Sequence, residues 1–313
     1  MIARTHLIII LLMLCWISPA QADTSSFTRV PISLEGDRVT VDVEWNGHRI
    51  ETTLDSAATY PLISSAILSQ INGQPLDETV DIFGIGGLRT FPVAQTYDLR
   101  VGKQRYSDVL TAVSSELPDE TFKAILPISL LQGRTLDFQF SKKRLDIYNA
   151  APRLRGEVVR SRFEYEIIKG VPFIEVEVNG VEGLALVDTG SDITYINRAF
   201  ARQAKAQFLP ERTLEIFGTG PDESPVQVTR IKKFELGDHR KESFEMLTAN
   251  TTVFDYLERR DEPTMVLGMD TLGQLHLQID REKQELFLSR REDYAEGRRY
   301  NVTPFSGRLK RRR

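Results

Sequence analysis

The sequence is poor in the residue types that build disulfides and metal sites. Its 313 residues include one cysteine and four histidines. A single cysteine excludes an internal disulfide framework and a cysteine-based metal cluster. The histidines are too scattered for metal-ligand spacing, so we expect no metal site and no cofactor. They are His6, His48, His239 and His276.

Charge of one sign is not in excess either. Lys and Arg together number 40, Asp and Glu number 44, and the formal net charge is −4. A protein that binds nucleic acid through its whole surface needs surplus cations to neutralise phosphates, so we expect no nucleic-acid partner. With 41% hydrophobic and 27% charged residues, the composition is that of a globular protein. The length is about twice that of one compact domain.

The longest apolar run lies near the N-terminus. It extends from Leu7 to Ile17, follows a basic residue and precedes small residues that end at Ala22, which is the order of a secretory signal. The run is shorter than the roughly 20 residues of a membrane-spanning helix. We predict a signal peptide over residues 1–22 and an exported protein, periplasmic or secreted. Cys15 would leave with the signal, as suits an oxidising compartment.

The C-terminus is basic. After Gly297 the chain has seven Lys or Arg residues and no Asp or Glu. We predict a basic C-terminal tail over residues 291–313. Such a tail is either solvated or docks on an anionic surface or partner, and both interpretations stay open.

Features of the first half of the chain recur in the second half in the same order. An apolar strand ends in Asp55 and again in Asp188, and a glycine-rich turn follows each of them. Repeats at a nearly constant spacing indicate copies of one structural unit. The sequence thus predicts two related domains, residues 23–150 and residues 161–290, joined by a linker over residues 151–160.

Short alternating segments predict a mainly β protein. Two of them, residues 38–45 and 173–178, are each followed by Asn-Gly, which is a strong hairpin signal. Apolar residues at helical spacing predict two brief helices, Ser64 to Ile71 and Asn197 to Lys205. Each half also closes with a predicted pair of strands. These pairs are 136–140 with 145–148, and 275–279 with 285–288.

The duplication suggests a joint function for the two aspartates. When related halves pack about a pseudo-two-fold axis, equivalent residues near the axis become neighbours, so Asp55 and Asp188 can meet. Two carboxyls that lie so close retain one proton between them, which makes one an acid and the other a base. Such a pair can deprotonate a water molecule that attacks a peptide carbonyl.

The residues around Asp188 resemble a known family. Segments 186–191 (Leu-Val-Asp-Thr-Gly-Ser) and 266–268 (Val-Leu-Gly) are similar to the signature of the retropepsin-like aspartic proteases, for which the two-aspartate mechanism is established. The resemblance extends over about residues 30–290 and is nearest to exported bacterial members. It implies two tandem retropepsin-like (acid protease) β-barrel domains that form an intramolecular pseudo-dimer, in a monomer with internal pseudo-two-fold symmetry.

The resemblance also implies roles for particular residues. Asp55 and Asp188 would be catalytic, Ser56 and Thr189 would tie the two motifs together by hydroxyl hydrogen bonds, and Gly190 would allow a tight turn under its carboxylate. Two glycine-rich hairpins would fold over an extended polypeptide as flaps. Their residues are Phe83, Gly84, Gly86, Gly87, Phe217, Gly218 and Gly220.

The first half departs from the family pattern at two positions. Ala57 stands where the family has glycine, and Pro127 stands opposite Gly268. The two motifs also differ one residue further on, because Ser191 could donate a hydrogen bond to the carboxylate of Asp188 whereas the first half has an alanine there. We therefore expect Asp188 to be the more acidic partner of the pair.

The sequence as a whole predicts an aspartic endopeptidase that binds extended polypeptide between its halves. Its substrates would be envelope or secreted proteins. An inactive pseudoprotease that binds extended peptides is the alternative, since Ala57 and Pro127 could mark a disabled first half. A third interpretation is an envelope scaffold that is attached through the basic tail.

Overall fold

The computed structural model describes residues 27–34, 38–84, 87–115, 124–153, 157–216 and 224–291. Within these ranges the protein is mainly β, as the alternating segments predict. The predicted signal peptide, the tail beyond Arg291 and residues 154–156 of the expected linker lie outside the described residues.

The strands of the first half are β1 (Thr28–Pro31), β2 (Thr40–Trp45), β3 (His48–Asp55), β4 (Leu62–Ser64), β5 (Gln74–Gly84), β6 (Gly87–Val101), β7 (Gln104–Ser114), β8 (Ala124–Pro127), β9 (Thr135–Gln139) and β10 (Arg144–Tyr148). The strands of the second half are β11 (Glu157–Glu164), β12 (Glu166–Ile168), β13 (Val171–Val178), β14 (Val181–Val187), β15 (Tyr195–Ile196), β16 (Gln207–Ile216), β17 (Ser224–Leu236), β18 (His239–Ala249), β19 (Thr264–Leu267), β20 (His276–Asp280) and β21 (Glu285–Arg291). The helices are α1 (Ser65–Gln70), α2 (Arg198–Gln203), α3 (Thr252–Tyr256) and α4 (Met269–Leu272), with 3₁₀ turns at Ile128–Leu130 and Phe140–Lys142.

Each half of the chain has its own sheet, and the two sheets have the same order of pairing. The first-half order is β2-β3-β8-β4-β7-β6-β5. The second-half order is β12-β13-β14-β19-β15-β18-β17-β16, which repeats the first after the additional edge strand β12. The parallel pairs also correspond, since β3–β8 and β4–β7 match β14–β19 and β15–β18.

A third sheet joins the halves in the order β1-β10-β9-β20-β21-β11. At its centre β9 and β20 run antiparallel, with Phe138 opposite Leu277. The strand pairs predicted at the end of each half are confirmed, and both lie in this sheet. Strand β11 begins at Glu157, inside the segment expected as a linker, because these residues pair with β21.

Two hairpin turns have the geometry that Asn-Gly predicts. The backbone φ angles are 48° at Asn46 and 80° at Gly47, and 52° at Asn179 and 82° at Gly180. Positive φ at both central residues is typical of the type I′ turn, whose twist matches that of the flanking strands. The predicted hairpins β2–β3 and β13–β14 are therefore confirmed.

Both predicted helices are present and capped by polar side chains. Ser64 Oγ accepts a hydrogen bond of 3.2 Å from the Ile67 N–H at the start of α1. Asn197 Oδ1 accepts one of 2.8 Å from the Phe200 N–H at the start of α2. Such caps satisfy N–H groups that have no partner within a helix. Among the described residues, no helix is long and apolar enough to cross a membrane.

One buried apolar cluster runs through both halves and the sheet between them. Trp45 of the first half, Phe200 of the second half and Phe138 of the joining sheet belong to it, and each has no accessible surface. Burying a side chain of this size stabilises the fold by roughly 1.5–3 kcal/mol. Two smaller clusters lie around Phe254 and around Phe91.

Candidate active site

Asp55 and Asp188 lie together at the carboxyl ends of the equivalent strands β3 and β14. A hydrogen bond joins their two carboxyl groups. A methyl group placed on Gly190 would come within 2.4 Å of Asp55 Cγ, which shows how closely the second-half loop approaches the first-half carboxyl. The two halves therefore contribute one carboxyl each to a single site.

The two loops hold their carboxyls in the same way. Asp55 Oδ1 accepts hydrogen bonds from the N–H groups of Ala57 at 2.7 Å and Ala58 at 3.0 Å. Asp188 Oδ1 accepts hydrogen bonds from the backbone N–H groups two and three residues further along the chain, at 2.9 and 3.0 Å. The alanine at position 57 therefore does not disturb the backbone that presents Asp55.

Ser56 and Thr189 cross-link the two loops beneath the carboxyls. Thr189 Oγ1 donates to the Leu54 carbonyl at 2.8 Å and accepts from the Ser56 N–H at 3.0 Å. Ser56 Oγ donates to the Val187 carbonyl at 2.7 Å and accepts from the Thr189 N–H at 2.9 Å. All four bonds are buried, so they hold the two aspartates in register without competition from water.

Position 190 requires glycine because the Asp55 carboxyl lies so close to it. An unusual backbone conformation is not the reason. Gly190 is not among the residues with positive φ. The 2.4 Å separation from the Asp55 carboxyl leaves no room for a side chain. Gly268 is required for a similar reason, because a methyl group there would lie 2.5 Å from the Ile193 carbonyl carbon. Its counterpart Pro127 is buried and pairs with Asp55 across β8 and β3.

The surroundings of the two carboxyls shift the pKa of each. Burial raises the pKa of Asp188, and the neighbouring Asp55 raises it further, to well above the usual value. Burial also raises the pKa of Asp55, but backbone N–H groups, the Asp188 carboxyl and the positive charge of Arg38 oppose the rise. The pKa values of both carboxyls are therefore raised, so the pair retains a proton at a pH where a free carboxyl would have lost it.

The sequence-based expectation that the Ser191 hydroxyl donates to the carboxylate of Asp188 was wrong. Ser191 Oγ donates to the Ile193 carbonyl at 3.0 Å instead of to Asp188. Ser191 does support Asp188, but through its backbone N–H, and Ala58 offers Asp55 an equal bond. The expected source of extra acidity is therefore absent.

Arg38 is a site residue that the sequence analysis missed. Its side chain is only 14% exposed, and Nη2 lies 4.0 Å from Asp192 Oδ2, so it links the first half to the loop that follows Asp188. Its charge lowers the pKa of Asp55. When the two Asn-Gly turns are aligned, Val171 is its counterpart in the second half. The sequence did contain a signal for this residue, because one of the two equivalent positions carries a cation and the other carries an apolar side chain.

A cleft of about 160 Å³ opens above the two carboxyls. Apolar side chains from both halves form most of its walls on either side of the aspartates. They are Leu62, Ile82 and Ile125 of the first half and Val171, Leu186 and Val253 of the second half. This shape suits an extended chain whose side chains are apolar next to the aspartates.

The hairpin β5–β6 reaches across the cleft to the other half. The ring of Phe83 stacks on that of Tyr256 in α3, with centroids 4.3 Å apart and planes 13° apart. Thr252 Oγ1 donates to the Gly84 carbonyl at 3.4 Å. Gly87 follows with a φ of 103°. The predicted flap residues Gly86, Phe217, Gly218 and Gly220 lie outside the described residues.

Helix α3 was not predicted, although Val253 and Phe254 within it and Leu257 just after it follow helical spacing. Within the described ranges, no group of three or more histidine or acidic side chains is arranged to hold a metal ion. The site thus consists of two neighbouring carboxyls with raised pKa values beneath an apolar cleft. Such a pair can take a proton from water and give one to a carbonyl oxygen at the same time.

Comparison with known proteins agrees with this chemistry for the second half of the chain. Residues 174–271 match the family model described as aspartyl protease, over less than half of the chain. The matched segment contains Asp188 and Gly268 but not Asp55. No curated protein matches the chain at a significant level. Residues 174–271 are therefore similar to the aspartyl proteases of the retropepsin-like type.

Proposed function

We propose that the protein is an aspartic endopeptidase with one active site formed by both halves of the chain. The observation that carries the proposal is the hydrogen-bonded pair of Asp55 and Asp188 at the floor of an open cleft. The matching strand orders of the two sheets and the reciprocal bonds of Ser56 and Thr189 support it. The halves would then be tandem retropepsin-like barrels packed as an intramolecular pseudo-dimer.

In the proposed reaction a water molecule lies between the two carboxyls. Asp55 accepts a proton from this water while the water oxygen bonds to the peptide carbonyl carbon. Asp188 gives its proton to the carbonyl oxygen, which yields a neutral tetrahedral intermediate. The proton on Asp55 then passes to the peptide nitrogen as the C–N bond breaks, and Asp188 recovers a proton from the new carboxyl product. The protons balance over the cycle.

The proposed substrates are extended polypeptides with apolar side chains next to the cleaved bond. The apolar walls on both sides of the aspartates support this preference. The hairpin β5–β6 would add backbone hydrogen bonds along the bound chain. Envelope or secreted proteins are the proposed source, because residues 1–22 predict export.

A monomer would suffice for this function, since one chain provides both carboxyls. The sheet that joins the halves lies within the same chain. A contact between the basic tail and an anionic surface remains a separate proposal, because the tail lies outside the described residues.

The alternative proposal is a pseudoprotease that binds extended peptides without cleaving them. Pro127 favours it, because the first half lacks the close glycine contact that Gly268 makes in the second half. The bonds that Ala57 and Ala58 donate to Asp55 favour the enzyme.

The test is cleavage of an unfolded protein across about pH 4 to 7, the span that a shared-proton pair can serve. We expect Asp55→Asn and Asp188→Asn each to reduce the rate by about a thousandfold or more, because each removes one half of the acid–base pair. Asp238→Asn, at an exposed turn of the second half, is the matched control and should cleave like the unaltered protein.

Other outcomes separate the alternatives. If only Asp188→Asn fails, the active form pairs two second halves from different chains. If the unaltered protein binds an apolar peptide but cleaves neither it nor the unfolded protein, the pseudoprotease is correct.

A further inference from the structure

A second cavity, of about 30 Å³, adjoins the segment that follows Asp188. It lies between the hairpin β17–β18 and the start of α4, and it shares no lining residue with the cleft. Phe234 and Phe244 are among its apolar walls, and Lys241, Asp270 and Thr194 are among its polar ones. Two oppositely charged groups thus occupy an apolar pocket that the proposed reaction does not use.

Asp270 ties α4 to the segment after Asp188 by several hydrogen bonds. Its Oδ1 accepts a bond from the hydroxyl of Thr194, which in turn accepts one of 3.0 Å from the Gly268 N–H. The Asp270 N–H donates to the Asp192 carbonyl at 3.2 Å. Backbone N–H groups of Thr194 and Thr271 also bond to the carboxylate. The Asp270 side chain therefore holds Thr194, and its backbone N–H holds Asp192, in the segment that follows Asp188.

Lys241 is the counter-charge of this carboxylate. Burial raises the pKa of Asp270 above its usual value, and its hydrogen bonds and the charge of Lys241 oppose this rise in part. Lys241 Nζ is buried, lies 4.0 Å from the centroid of the Phe244 ring and has no hydrogen-bond partner among the described residues. Burial lowers the pKa of Lys241 to about 8, against a smaller opposing effect of Asp270.

Other titratable groups border the same cavity. Arg240 pairs with Glu242 at the protein surface, at 3.0 Å. Glu245 lies near Arg230, at 3.8 Å. His239 is buried, and its Nε2 hydrogen-bonds to the Leu288 carbonyl at 3.0 Å. Lys241 is thus the cation that acts on Asp270.

The described residues of the first half have no equivalent of the hydrogen bond between Asp270 and Thr194. Ser129, which is exposed, stands opposite Asp270, and Pro61 stands opposite Thr194. The carbonyls of Ile128 and Leu131 instead accept hydrogen bonds from Arg281 of the other half. Among the described residues, a side-chain link of this kind to an aspartate loop is therefore found only for Asp188.

We propose that Asp270 is a positioning residue for Asp188 and that Lys241, which lines the same cavity, is its counter-charge, an inference that rests on the proposed function. The carboxylate fixes Thr194, and through it the orientation of Asp188 against Asp55. Loss of this link changes the geometry of the acid–base pair but leaves the walls of the cleft in place. It therefore slows the chemical step more than it weakens substrate binding.

Steady-state kinetics on the full chain test the proposal. Asp270→Ala should lower kcat about tenfold, equal to about 1.4 kcal/mol of transition-state stabilisation, with KM within about twofold. Asp270→Asn should recover most of this loss, because its amide oxygen still accepts the Thr194 hydroxyl bond. Ser129→Ala, the matched change in the first half, should behave like the unaltered protein.

A double-mutant cycle tests the role of Lys241. Lys241→Met should lower kcat when Asp270 is present and have no effect in the Asp270→Ala background, since a counter-charge acts only through its partner. Equal effects in the two backgrounds would overturn the role of Lys241.

An NMR titration of the aspartate carboxyl carbons separates this inference from the proposed function. We expect Asp270→Ala to shift the titration of Asp188, and Ser129→Ala to leave it unchanged. If the unaltered protein cleaves nothing but this shift is seen, the protease proposal fails and the positioning role stands. If Asp270→Ala leaves both kcat and the Asp188 titration unchanged, the positioning role is wrong. Should that variant not fold, Thr194→Val removes the same bond and is subject to the same two readouts.

Discussion

At the scale of single residues, positions 57 and 190 are equivalent but not interchangeable. Gly190 lies against the Asp55 carboxyl, at a distance that leaves no room for a methyl group. Ala57 already carries one, and it packs against the apolar cluster around Phe254. The two sides of the site therefore differ in how much space each loop leaves for the opposite carboxyl.

Gly190→Ala should abolish most of the activity, because the new methyl group must push Asp55 or its own loop aside. Overpacking of this kind costs about 1–3 kcal/mol of folding stability. Cleavage rates and urea unfolding measure both effects. Ala57→Gly is the matched control, and it should keep its activity. A fully active Gly190→Ala protein would show that the close approach is not maintained in solution.

At the scale of elements, the hairpin β5–β6 and helix α3 form a contact between the halves. The Phe83–Tyr256 stack and the bond from Thr252 to the Gly84 carbonyl hold the hairpin against the second half. Lys169 Nζ lies 4.8 Å from the Tyr256 ring centroid and donates to the Tyr256 carbonyl, which fixes the other partner of the stack. These contacts hold the hairpin across the cleft, against the second half.

Tyr256→Ala should speed the association of an apolar peptide with the cleft. An aromatic pair contributes about 0.5–1.5 kcal/mol of stabilisation. Its loss should therefore raise the ratio of open to closed hairpin by up to about tenfold. Stopped-flow binding measures the association rate. Tyr97→Ala is the control, because Tyr97 is an exposed tyrosine of β6 that does not line the cleft. An unchanged or slower rate for Tyr256→Ala would mean that the stack does not limit access.

At the scale of the whole molecule, the sheet that joins the halves carries buried ion pairs. Arg134 of the first half binds Asp280 of the second half through two hydrogen bonds of 3.0 and 2.8 Å, and the Asp280 side chain is 1% exposed. Burial alone would raise the pKa of Asp280, but Arg134 and the backbone N–H groups of Lys283 and Glu282 hold it below its usual value.

Asp280→Asn should lower the free energy of unfolding by about 2 kcal/mol at pH 7. A carboxyl whose pKa is lower in the folded state stabilises the fold above its unfolded pKa, and this contribution is lost as the pH falls through the folded value. The difference between the two proteins should therefore shrink below about pH 4. Urea unfolding at several pH values measures it.

Asp42→Asn is the control for this prediction. Asp42 pairs with Arg49 at the surface, where both side chains are well exposed, so its loss should cost less than about 1 kcal/mol. A cost for Asp280→Asn that does not change with pH would contradict the assigned role of the ionised pair.

Short-range patterns were enough to predict much of the fold. Asn-Gly at positions 46–47 and 179–180 determines its own turn, because the φ angles of two adjacent residues define the hairpin. Ser64 and Asn197 likewise begin helices by bonding to N–H groups three residues away. The repeated order of these signals also indicated that Asp55 and Asp188 could meet.

Contacts between residues that are distant in the sequence could not be predicted from short-range patterns. Arg38 acts on Asp192, and Asp270 on Thr194, across segments whose approach depends on how whole sheets pack. The Ser191 hydroxyl donates to a carbonyl of its own loop, while burial and the neighbouring Asp55 raise the pKa of Asp188. The chain sequence specifies which groups can ionise, whereas burial and neighbouring charges, which arise only on folding, decide which of them does.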